Sequence, residues 1–395
     1  MDDGGQQSTT KNQQPKTNNP KRICFVTGTR ADYGIMSQLM RRVKEEPGVK
    51  LQIIATNMHL SPDYGMTVNE IEGDGFTVDR RVDSLLSGDS PAATVKSMGL
   101  TEIGIADAYA QLKPDLVVIL GDRYEMLAAA SAALIFRIPI AHLYGGETTE
   151  GAYDDNIRHA ITQLSDYHFT STREYADRIV AMGKDPSRVH WVGSLGVDNI
   201  LCGNFMILPE LEQSIGFSLG EKYVVATFHP VTTRPGEEER QTKALLSALD
   251  TIIDRGYKIL FTMPNSDTGG KKVAALIKEW SDRRPEAVKA VQSLGRVRYY
   301  SALRYASAVV GNSSSGLIEA PSFGIPTLNI GDRQKGRARG ASVIDVDADG
   351  KTIEEGLRKA LSPEFREIAS SAPNPYAKPR TLDAILNVIL TQSLR

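Results

Sequence analysis

Short apolar runs alternate with longer amphipathic segments along the chain, and this pattern constrains the fold more than any other feature of the sequence. The run 23–26, for example, is followed by Gly28 and by a segment in which Ile35, Leu39 and Val43 lie at the spacing of one helix face. A strand followed by a helix is the repeating unit of parallel sheets. The sequence therefore predicts an α/β chain.

The apolar runs fall into two series that are separated near residues 193–200. The predicted strands of the first series are 23–26, 51–55, 116–120, 138–143 and 167–170, with a helix at about 125–136. The run 189–192 ends that series, and the predicted strands of the second series are 223–227, 258–263, 308–310 and 327–330. A length of 395 residues suits two α/β domains better than one.

We therefore predict two doubly wound, Rossmann-like domains with a cleft between them, an N-terminal domain at 21–195 and a C-terminal domain at 196–378. The segment 379–395 is predicted to contain a helix that can cross back to the N-terminal domain. Residues 1–20 contain no Leu, Ile, Val or aromatic residue, so they bury little apolar surface and are predicted to form a disordered tail.

Composition indicates which partners and which cellular compartment to expect. A formal net charge of −2 gives no overall field that would attract nucleic acid or anionic lipid. With only Cys24 and Cys202, neither a disulfide framework nor a cysteine-based zinc site is indicated. The sequence also lacks a signal-like first segment and any stretch of ~20 apolar residues. We therefore expect a cytoplasmic protein with no nucleic-acid or membrane partner.

Ligands of open parallel sheets bind beyond the carboxyl ends of the strands, and the residues that follow the predicted strands are chemically unusual. In the loop 27–34, Gly28 permits a tight turn, the helix N-terminus offers free N–H groups, and Arg30 can hydrogen-bond a phosphate. The alternative is a plain turn capped by Asp32. Asp122 follows another such strand, where it can act as an acid, a base or a helix cap.

Acidic residues are concentrated after the predicted strand 138–143. Glu147 and Asp154 are expected to lie close to Asp122, because the carboxyl ends of parallel strands meet at one edge of a sheet. Carboxylates that crowd together repel one another, which raises the pKa values of some of them and suits general acid–base catalysis. The alternative is an exposed ion pair between Asp154 and Arg158, which are four positions apart.

The second series carries polar groups that suit a nucleotide. His229 follows its first strand, where it can bind phosphate or transfer a proton, although a lone histidine is often structural. Asn265 can hydrogen-bond a base or a phosphate, although its neighbours are also typical of turns. Serine hydroxyls and N–H groups in the loop 311–316 indicate a phosphate cradle more than a simple cap. Glu319 can accept ribose hydroxyls, and Arg333 adds a cation.

In this order, the segments resemble the hydrolysing UDP-N-acetylglucosamine 2-epimerases of sialic-acid and related nonulosonic-acid synthesis. The resemblance runs from about Arg22 to the C-terminal helix and is most specific in residues 28–33, in 145–147 leading into 158–162, and in 311–314. It implies the two-domain GT-B fold known from a class of glycosyltransferases, a UDP-sugar ligand, and catalysis without a metal or a redox cofactor. It also implies a homodimer or homotetramer.

The resemblance further implies roles for individual residues. Asp122 and Asp154 match the catalytic carboxylates of the family, and His229 matches a position implicated in the elimination step. Related epimerases often carry a catalytic Glu where this chain has Tyr144, and we hypothesise that Glu147, the nearest acid, takes over that catalytic role. The positions that match UDP-binding residues of the family are Arg30, Arg123, His229, Asn265, Ser313, Ser314, Glu319 and Arg333.

The implied activity is the conversion of UDP-N-acetylglucosamine or UDP-N,N′-diacetylbacillosamine and water to UDP and the free manno-configured 2-acetamido sugar. Elimination of UDP would precede hydration of the resulting glycal. Three alternatives stay open: a GT-B glycosyltransferase that uses a UDP-sugar, a non-hydrolysing UDP-sugar 2-epimerase, and a UDP-sugar-binding protein without catalytic activity. The sequence does not distinguish between the two candidate sugars.

Overall fold

The computed structural model describes residues 19–201 and 203–391. Residues 1–18 of the predicted tail lie outside the described residues, as do Cys202 and residues 392–395. Within the described part, two parallel sheets are flanked by helices, which confirms the predicted α/β, doubly wound fold class. No helix in this part of the chain has the length and the apolar content to cross a membrane.

The first sheet contains the strands β1 (Lys21–Thr27), β2 (Val49–Thr56), β3 (Arg80–Val82), β4 (Leu116–Leu120), β5 (Ile140–Leu143), β6 (Tyr167–Thr170) and β7 (Val189–Trp191). These strands are parallel and lie in the order β3-β2-β1-β4-β5-β6-β7. The strand order therefore reverses direction between β1 and β4, and such a switch point is where doubly wound sheets bind their ligands.

The second sheet contains the strands β8 (Tyr223–Thr227), β9 (Lys258–Thr262), β10 (Val288–Val291), β11 (Ala308–Gly311), β12 (Thr327–Ile330) and β13 (Val343–Val346). They are parallel in the order β10-β9-β8-β11-β12-β13, so the second switch point lies between β8 and β11. The domain limit that we propose, between residues 195 and 196, lies in the connection between the two sheets.

Helices follow most strands and cover both faces of the first sheet, where Ile23 and Phe25 of β1 face one core while Cys24 and Val26 face the other. The described helices are α1 (Arg30–Glu45), α2 (Val68–Gly73), α3 (Pro91–Leu112), α4 (Tyr124–Ile135), α5 (Asp154–Leu164), α6 (Arg173–Ala181), α7 (Leu195–Leu201), α8 (Leu208–Ile215), α9 (Glu238–Ile253), α10 (Gly270–Asp282), α11 (Gly295–Tyr305), α12 (Ser315–Ile318), α13 (Gly350–Ala360), α14 (Pro363–Ser371) and α15 (Thr381–Thr391).

The strands predicted from the sequence are confirmed, and those at 116–120, 167–170, 223–227 and 327–330 agree to the residue. Three observed strands have no counterpart in the sequence prediction: β3, β10 and β13. Each of them is an edge strand, and most of their residues are exposed or only partly buried. An edge strand needs no continuous apolar run, so the pattern that revealed the central strands is weak there.

Helix α15 ends the described chain against the first sheet rather than the second. Ile385, Leu386 and Ile389 are buried in the same core as Ile23 of β1. The backbone N–H of Leu382 donates to the Asp198 carboxylate at 2.9 Å, which ties the start of α15 to α7. The chain therefore passes twice between the half of the molecule that contains the first sheet and the half that contains the second sheet, at α7 and again before α15.

Candidate active site

Loops from the two topological switch points line one cleft, whose volume is about 270 Å³. The structure brings every site residue predicted from the sequence to this cleft: Arg30, Asp122, Arg123, Glu147, Asp154, His229, Asn265, Ser313, Ser314, Glu319 and Arg333. No group of His, Cys, Asp and Glu side chains among the described residues is arranged to hold a metal ion.

The loop after β1 contains both a cap made by Asp32 and an arginine, Arg30, that lines the cleft. The Asp32 carboxylate accepts hydrogen bonds at 2.9 and 2.8 Å from the backbone N–H groups of residues 28 and 29, and so caps α1. Arg30 reaches the second half and donates to the carbonyl oxygens of Gln292 and, at 3.1 Å, of Met263. Burial lowers the pKa of Arg30 to about 10, so the side chain is still a cation at neutral pH.

A buried carboxylate from the second half holds two of the predicted phosphate-binding arginines. Arg123 donates to Asp267 Oδ1 at 2.8 Å and to Ser266 Oγ at 3.0 Å, and Arg333 donates to Asp267 Oδ2 at 3.5 Å. Burial by itself would raise the pKa of Asp267, but the two guanidinium groups lower it to about 2. Asp267 is therefore an anion, and any other anion at these arginines has to compete with it.

Asp122 is paired with a buried cation from α5. The Arg158 side chain, which is 1% exposed, forms an ion pair with Asp122 and a second one with Asp155 at 3.3 Å. It also donates to the carbonyl oxygen of Glu147 at 2.9 Å. The alternative of an exposed pair between Asp154 and Arg158 is therefore wrong, because the guanidinium is buried and bonds other carboxylates.

Asp154 is the first residue of α5 and is buried in the cleft. Burial raises its pKa to about 7, and the negative charge of Asp267 acts in the same direction. The rise in carboxyl pKa that we expected at the carboxyl ends of the strands is therefore present. Among the carboxylates, Asp267 contributes most to it, rather than Asp122 or Glu147. A carboxyl group with this pKa can accept or donate a proton near neutral pH.

Glu147 lines the cleft as one half of a buried ion pair. Its Oε1 accepts a hydrogen bond from Ser171 Oγ at 2.6 Å, and its Oε2 is paired with Arg337. Tyr144 precedes it on the same loop with a left-handed φ of 65°, and its hydroxyl contacts Ser194 Oγ at 2.8 Å. Tyr144 is therefore a packing and hydrogen-bonding residue here, and the catalytic role hypothesised for Glu147 stays a prediction.

His229 is held by its backbone and lines the cleft as a neutral imidazole. Its N–H donates to Asn312 Oδ1 at 2.7 Å, and Asn312 Nδ2 donates back to the His229 carbonyl at 2.8 Å. The ring Nδ1 accepts from the backbone N–H of Asn265 at 3.4 Å, which leaves the proton on Nε2. Burial, with the charge of Arg333, lowers the pKa of His229 to about 3.

The serine-rich loop after β11 has a backbone conformation that requires glycine at its start. Gly311 has a φ of 132°, and a Cβ atom there would overlap the carbonyl oxygen of Thr227. Ser313 and Ser314 follow immediately before α12 and line the cleft. This close approach of the loop to β8 places two hydroxyls and a helix start at the second switch point, where an anion can be bound.

Glu319 lies one turn further on, where the second half meets α7. A Cβ atom on Gly196 of α7 would lie 2.5 Å from Glu319 Oε1, so the glycine leaves room for the carboxyl group. Burial raises the pKa of Glu319 to about 7. Near neutral pH this group can therefore donate as well as accept hydrogen bonds, which suits recognition of hydroxyl groups.

Sequence reasoning did not single out Asp267 or Arg337. Asp267 lies two positions after Asn265 in a segment that is typical of turns, so an acid beyond a strand end was its only signal. Arg337 has no local signal, because its partner Glu147 is 190 positions away along the chain. Both residues owe their importance to a contact between the two halves.

Comparison with known proteins finds relatives over most of the chain. The family model described as UDP-N-acetylglucosamine 2-epimerase matches residues 41–390. The GDP/UDP-N,N′-diacetylbacillosamine 2-epimerase (hydrolyzing) of Campylobacter jejuni is 38% identical over 347 residues, which are 88% of this chain and 89% of that protein. The UDP-N,N′-diacetylbacillosamine 2-epimerase (hydrolyzing) of Legionella pneumophila is 37% identical over 342 residues, which are 87% and 89% of the two chains.

Among solved structures, the UDP-GlcNAc 2-epimerase of Neisseria meningitidis bound to UDP-GlcNAc is similar in fold. The TM-score is 0.77 at 16% sequence identity, and the similarity covers 94% of this chain and 100% of that chain. At this level of identity the likeness establishes the fold alone, which is the two-domain α/β arrangement predicted from the sequence.

Proposed function

This chain belongs to the UDP-N-acetylglucosamine 2-epimerase family, and we propose that it is a hydrolysing UDP-sugar 2-epimerase that releases UDP and a free manno-configured 2-acetamido sugar. Identities of 38% and 37% to two relatives named as hydrolysing 2-epimerases support this activity. The structural observation that carries the mechanism is a buried carboxyl group with a pKa near 7, Asp154, in the same cleft as Arg123 and Arg333.

We assign removal of the C2 proton of the sugar to Asp154. With a pKa of about 7, a substantial fraction of this carboxyl group is ionised at neutral pH and can act as a general base. As the proton leaves, the C2–H electron pair forms the C1–C2 double bond of a glycal, and the C1–O electron pair departs with UDP. Because the C2 proton is a weak acid, the C1–O bond must be largely broken in the transition state.

Positively charged and hydroxyl side chains of the cleft stabilise the charge that develops on the departing diphosphate. Arg30, Arg123 and Arg333 supply guanidinium groups, and Ser313 and Ser314 supply hydroxyls near a helix start. Arg123 and Arg333 are shared with Asp267. The diphosphate therefore has to take over hydrogen bonds that this carboxylate makes, which is an electrostatic cost of binding.

In the second step, water adds to the glycal, with its hydroxyl at C1 and a proton delivered to C2 from the opposite face. Asp122, which is paired with Arg158, is the second carboxylate that we assign to proton transfer. We assign to the neutral imidazole of His229 a hydrogen bond from Nε2 to the departing phosphate. Asp122 takes the proton that the attacking water loses and passes a proton to C2, while Asp154 releases the proton taken in the first step to the departing UDP. The sum of the two steps therefore consumes one water and returns each carboxylate to its starting state.

We propose UDP-N,N′-diacetylbacillosamine as the first substrate to test, because both of the hydrolysing relatives above carry this sugar in their names. UDP-N-acetylglucosamine is the alternative. The homodimer or homotetramer and the cytoplasmic location implied earlier stay predictions, as does a place in nonulosonic-acid synthesis.

The deciding experiment is incubation with each UDP-sugar in D₂O, followed by NMR. We expect stoichiometric UDP and a free manno-configured sugar that carries deuterium at C2. Deuterium in recovered UDP-sugar without net UDP release would instead identify a non-hydrolysing epimerase. No exchange and no UDP from either sugar would contradict the proposal and favour a glycosyltransferase or a binding protein.

A further inference from the structure

Two buried side chains of the cleft each leave one polar atom without a partner. Thr149, which follows β5, and Gln334, which follows β12, are 4% and 1% exposed, and both line the cleft. Neither the hydroxyl of Thr149 nor the side-chain oxygen Oε1 of Gln334 has a hydrogen-bond partner among the described residues. Because it is unfavourable to bury a polar group without a partner, each of these atoms is suited to a partner that a ligand supplies.

The other polar contacts of these two residues hold them in place. The backbone N–H of Thr149 donates to Asp155 Oδ1 at 2.6 Å, and Gln334 Nε2 donates to the carbonyl oxygen of Asn312 at 2.9 Å. Since the amide nitrogen of Gln334 is used as a donor, the orientation of that amide is fixed and its Oε1 is an acceptor. The Thr149 hydroxyl can rotate, so it can either donate or accept a hydrogen bond.

The two residues lie on opposite sides of one contact between the halves. Glu150 and Lys335, which follow them in the chain, are joined by a hydrogen bond from the Glu150 N–H to the Lys335 carbonyl oxygen at 3.1 Å. Gly151 has no room for a Cβ atom, which would lie 2.3 Å from a backbone carbonyl oxygen of the loop after β12. The loop after β5 therefore packs directly on the loop after β12, which brings Thr149 and Gln334 to the same region of the cleft.

This region lies between the group assigned to the C2 proton and the groups assigned to the diphosphate. On one side, the N–H of Thr149 is bonded to the first turn of α5, which begins at Asp154. On the other side, Gln334 follows Arg333 and is bonded to Asn312 in the serine-rich loop. In the proposed substrate, C2 carries both the acetamido group and the proton to be removed, and it is bonded to C1, which carries the diphosphate. The acetamido group is therefore the substituent expected in this region.

We propose that Gln334 and Thr149 bind the 2-acetamido group of the sugar and thereby determine which UDP-sugars are accepted. An amide presents one N–H donor and one carbonyl acceptor. Gln334 Oε1 accepts the N–H of the acetamido group, and the Thr149 hydroxyl donates to its carbonyl oxygen. UDP-glucose carries a hydroxyl at C2 and offers no carbonyl oxygen to Thr149, so it is bound less tightly. The inference rests on the UDP-sugar ligand of the proposed function.

Titration of a protein that binds its ligand without turnover tests these contacts apart from the reaction. In an Asp154→Asn background, calorimetry compares UDP-N-acetylglucosamine and UDP-N,N′-diacetylbacillosamine, which both carry the 2-acetamido group, with UDP-glucose and UDP. Thr149→Val removes the hydroxyl and Gln334→Met removes the side-chain amide, each at similar volume. We expect each change to weaken binding of the better acetamido sugar roughly tenfold, and binding of UDP-glucose and UDP less than about twofold.

Two further comparisons separate contact with the ligand from support of the loops. Thr149→Ser keeps the hydroxyl and should bind every ligand like the parent. Gln334→Met also loses the bond to Asn312, so its affinity for UDP reports whether the phosphate-binding loops have shifted. Unchanged or equally weakened binding of all ligands, or a parent that binds neither acetamido sugar more tightly than UDP-glucose, would overturn the proposal. Failure of the proposed epimerase activity is distinguishable, because it would leave the preference for acetamido sugars intact.

Discussion

At the scale of single residues, two buried carboxyl groups of the cleft have opposite pKa shifts because only one of them, Asp267, is ion-paired with the nearby arginines. Asp267 lies between Arg123 and Arg333, which stabilise its anion and lower its pKa to about 2. For Asp154, burial and the negative charge of Asp267 outweigh the opposing effect of the same two arginines, so its pKa rises to about 7. One group is therefore a permanent anion and the other a proton carrier.

The first prediction concerns Asp154→Asn. The amide fills the same space but cannot take a proton, so kcat should fall by roughly 10²- to 10⁴-fold while UDP binds almost as before. A UDP-release assay and calorimetric titration with UDP measure the two quantities. Asp155→Asn is the matched control. Asp155 forms an ion pair with Arg158 and accepts a hydrogen bond from the backbone N–H of Thr149 in the loop before α5, but it is not among the residues that line the cleft. Equal loss of kcat in both variants would contradict the assignment.

The second prediction concerns the coupling between the two carboxylates. Asp267→Asn removes the charge that helps to raise the pKa of Asp154, so that pKa should fall. In the wild type, kcat should rise with pH through about 7 as Asp154 ionises, and in the variant this rise should occur at lower pH. The same change removes a competing carboxylate from Arg333 and from Arg123, which keeps its ion pair with Glu125 at 2.7 Å, so UDP should bind more tightly. Identical pH–rate profiles for the two proteins would rule out the coupling.

At the scale of elements, the site is built on loops whose positions are set by the strands that precede them. The Asn312 side chain bridges to the backbone of His229, and Gln334 Nε2 donates to the Asn312 carbonyl at 2.9 Å. The loops after β8, β11 and β12 are thus joined by hydrogen bonds. Movement of one strand end would move the others, which keeps the phosphate-binding groups in a constant arrangement.

The third prediction tests the loop after β11. Gly311→Ala forces a Cβ atom against the Thr227 carbonyl and strains a φ that L-residues rarely adopt, at a cost of about 1–3 kcal/mol before the overlap is counted. We expect a lower midpoint of urea unfolding and at least tenfold weaker UDP binding, because the serines shift. Gly350→Ala, where a Cβ atom meets nothing within 4 Å, should change neither quantity noticeably.

At the scale of the whole molecule, buried histidines make folding sensitive to acid. Burial lowers the pKa of His142 to about 4 and that of His168 to about 3, well below the value of about 6.5 in an unfolded chain. Below pH 6.5 the unfolded chain therefore binds protons that the folded chain does not. Stability is lost as the pH falls from 6.5 towards these values.

The fourth prediction isolates one of these groups. Between pH 7.5 and 5.5 a single such histidine should lower the free energy of unfolding by about 1 kcal/mol. His168→Leu removes that proton site, so the variant should lose less stability over this interval than the wild type in urea titrations. Asp154 and Glu319 have raised pKa values, so their contribution to stability increases as the pH falls. Both residues are present in the wild type and in the variant, so their effect cancels when the two proteins are compared. Equal losses would contradict the prediction.

Much of the fold and the composition of the site could be predicted from the sequence. Central strands of parallel sheets are continuous apolar runs, so they are visible locally, whereas the edge strands β3, β10 and β13 are not. Parallel topology then brings the ends of all strands in a sheet to one edge. Residues as distant as Asp122 and Asp154, or His229 and Ser313, could be assigned to one site for that reason alone.

The tertiary structure alone decided which charges meet across the cleft. Glu147 is paired with Arg337, and Asp267 lies between Arg123 and Arg333, over sequence separations that no local pattern records. The pKa of Asp154 follows from these contacts, because the free energy of an ionised group depends on burial and on the distance to other charges. The sequence therefore determined which groups are available, and the packing of the two halves determined their protonation and their partners.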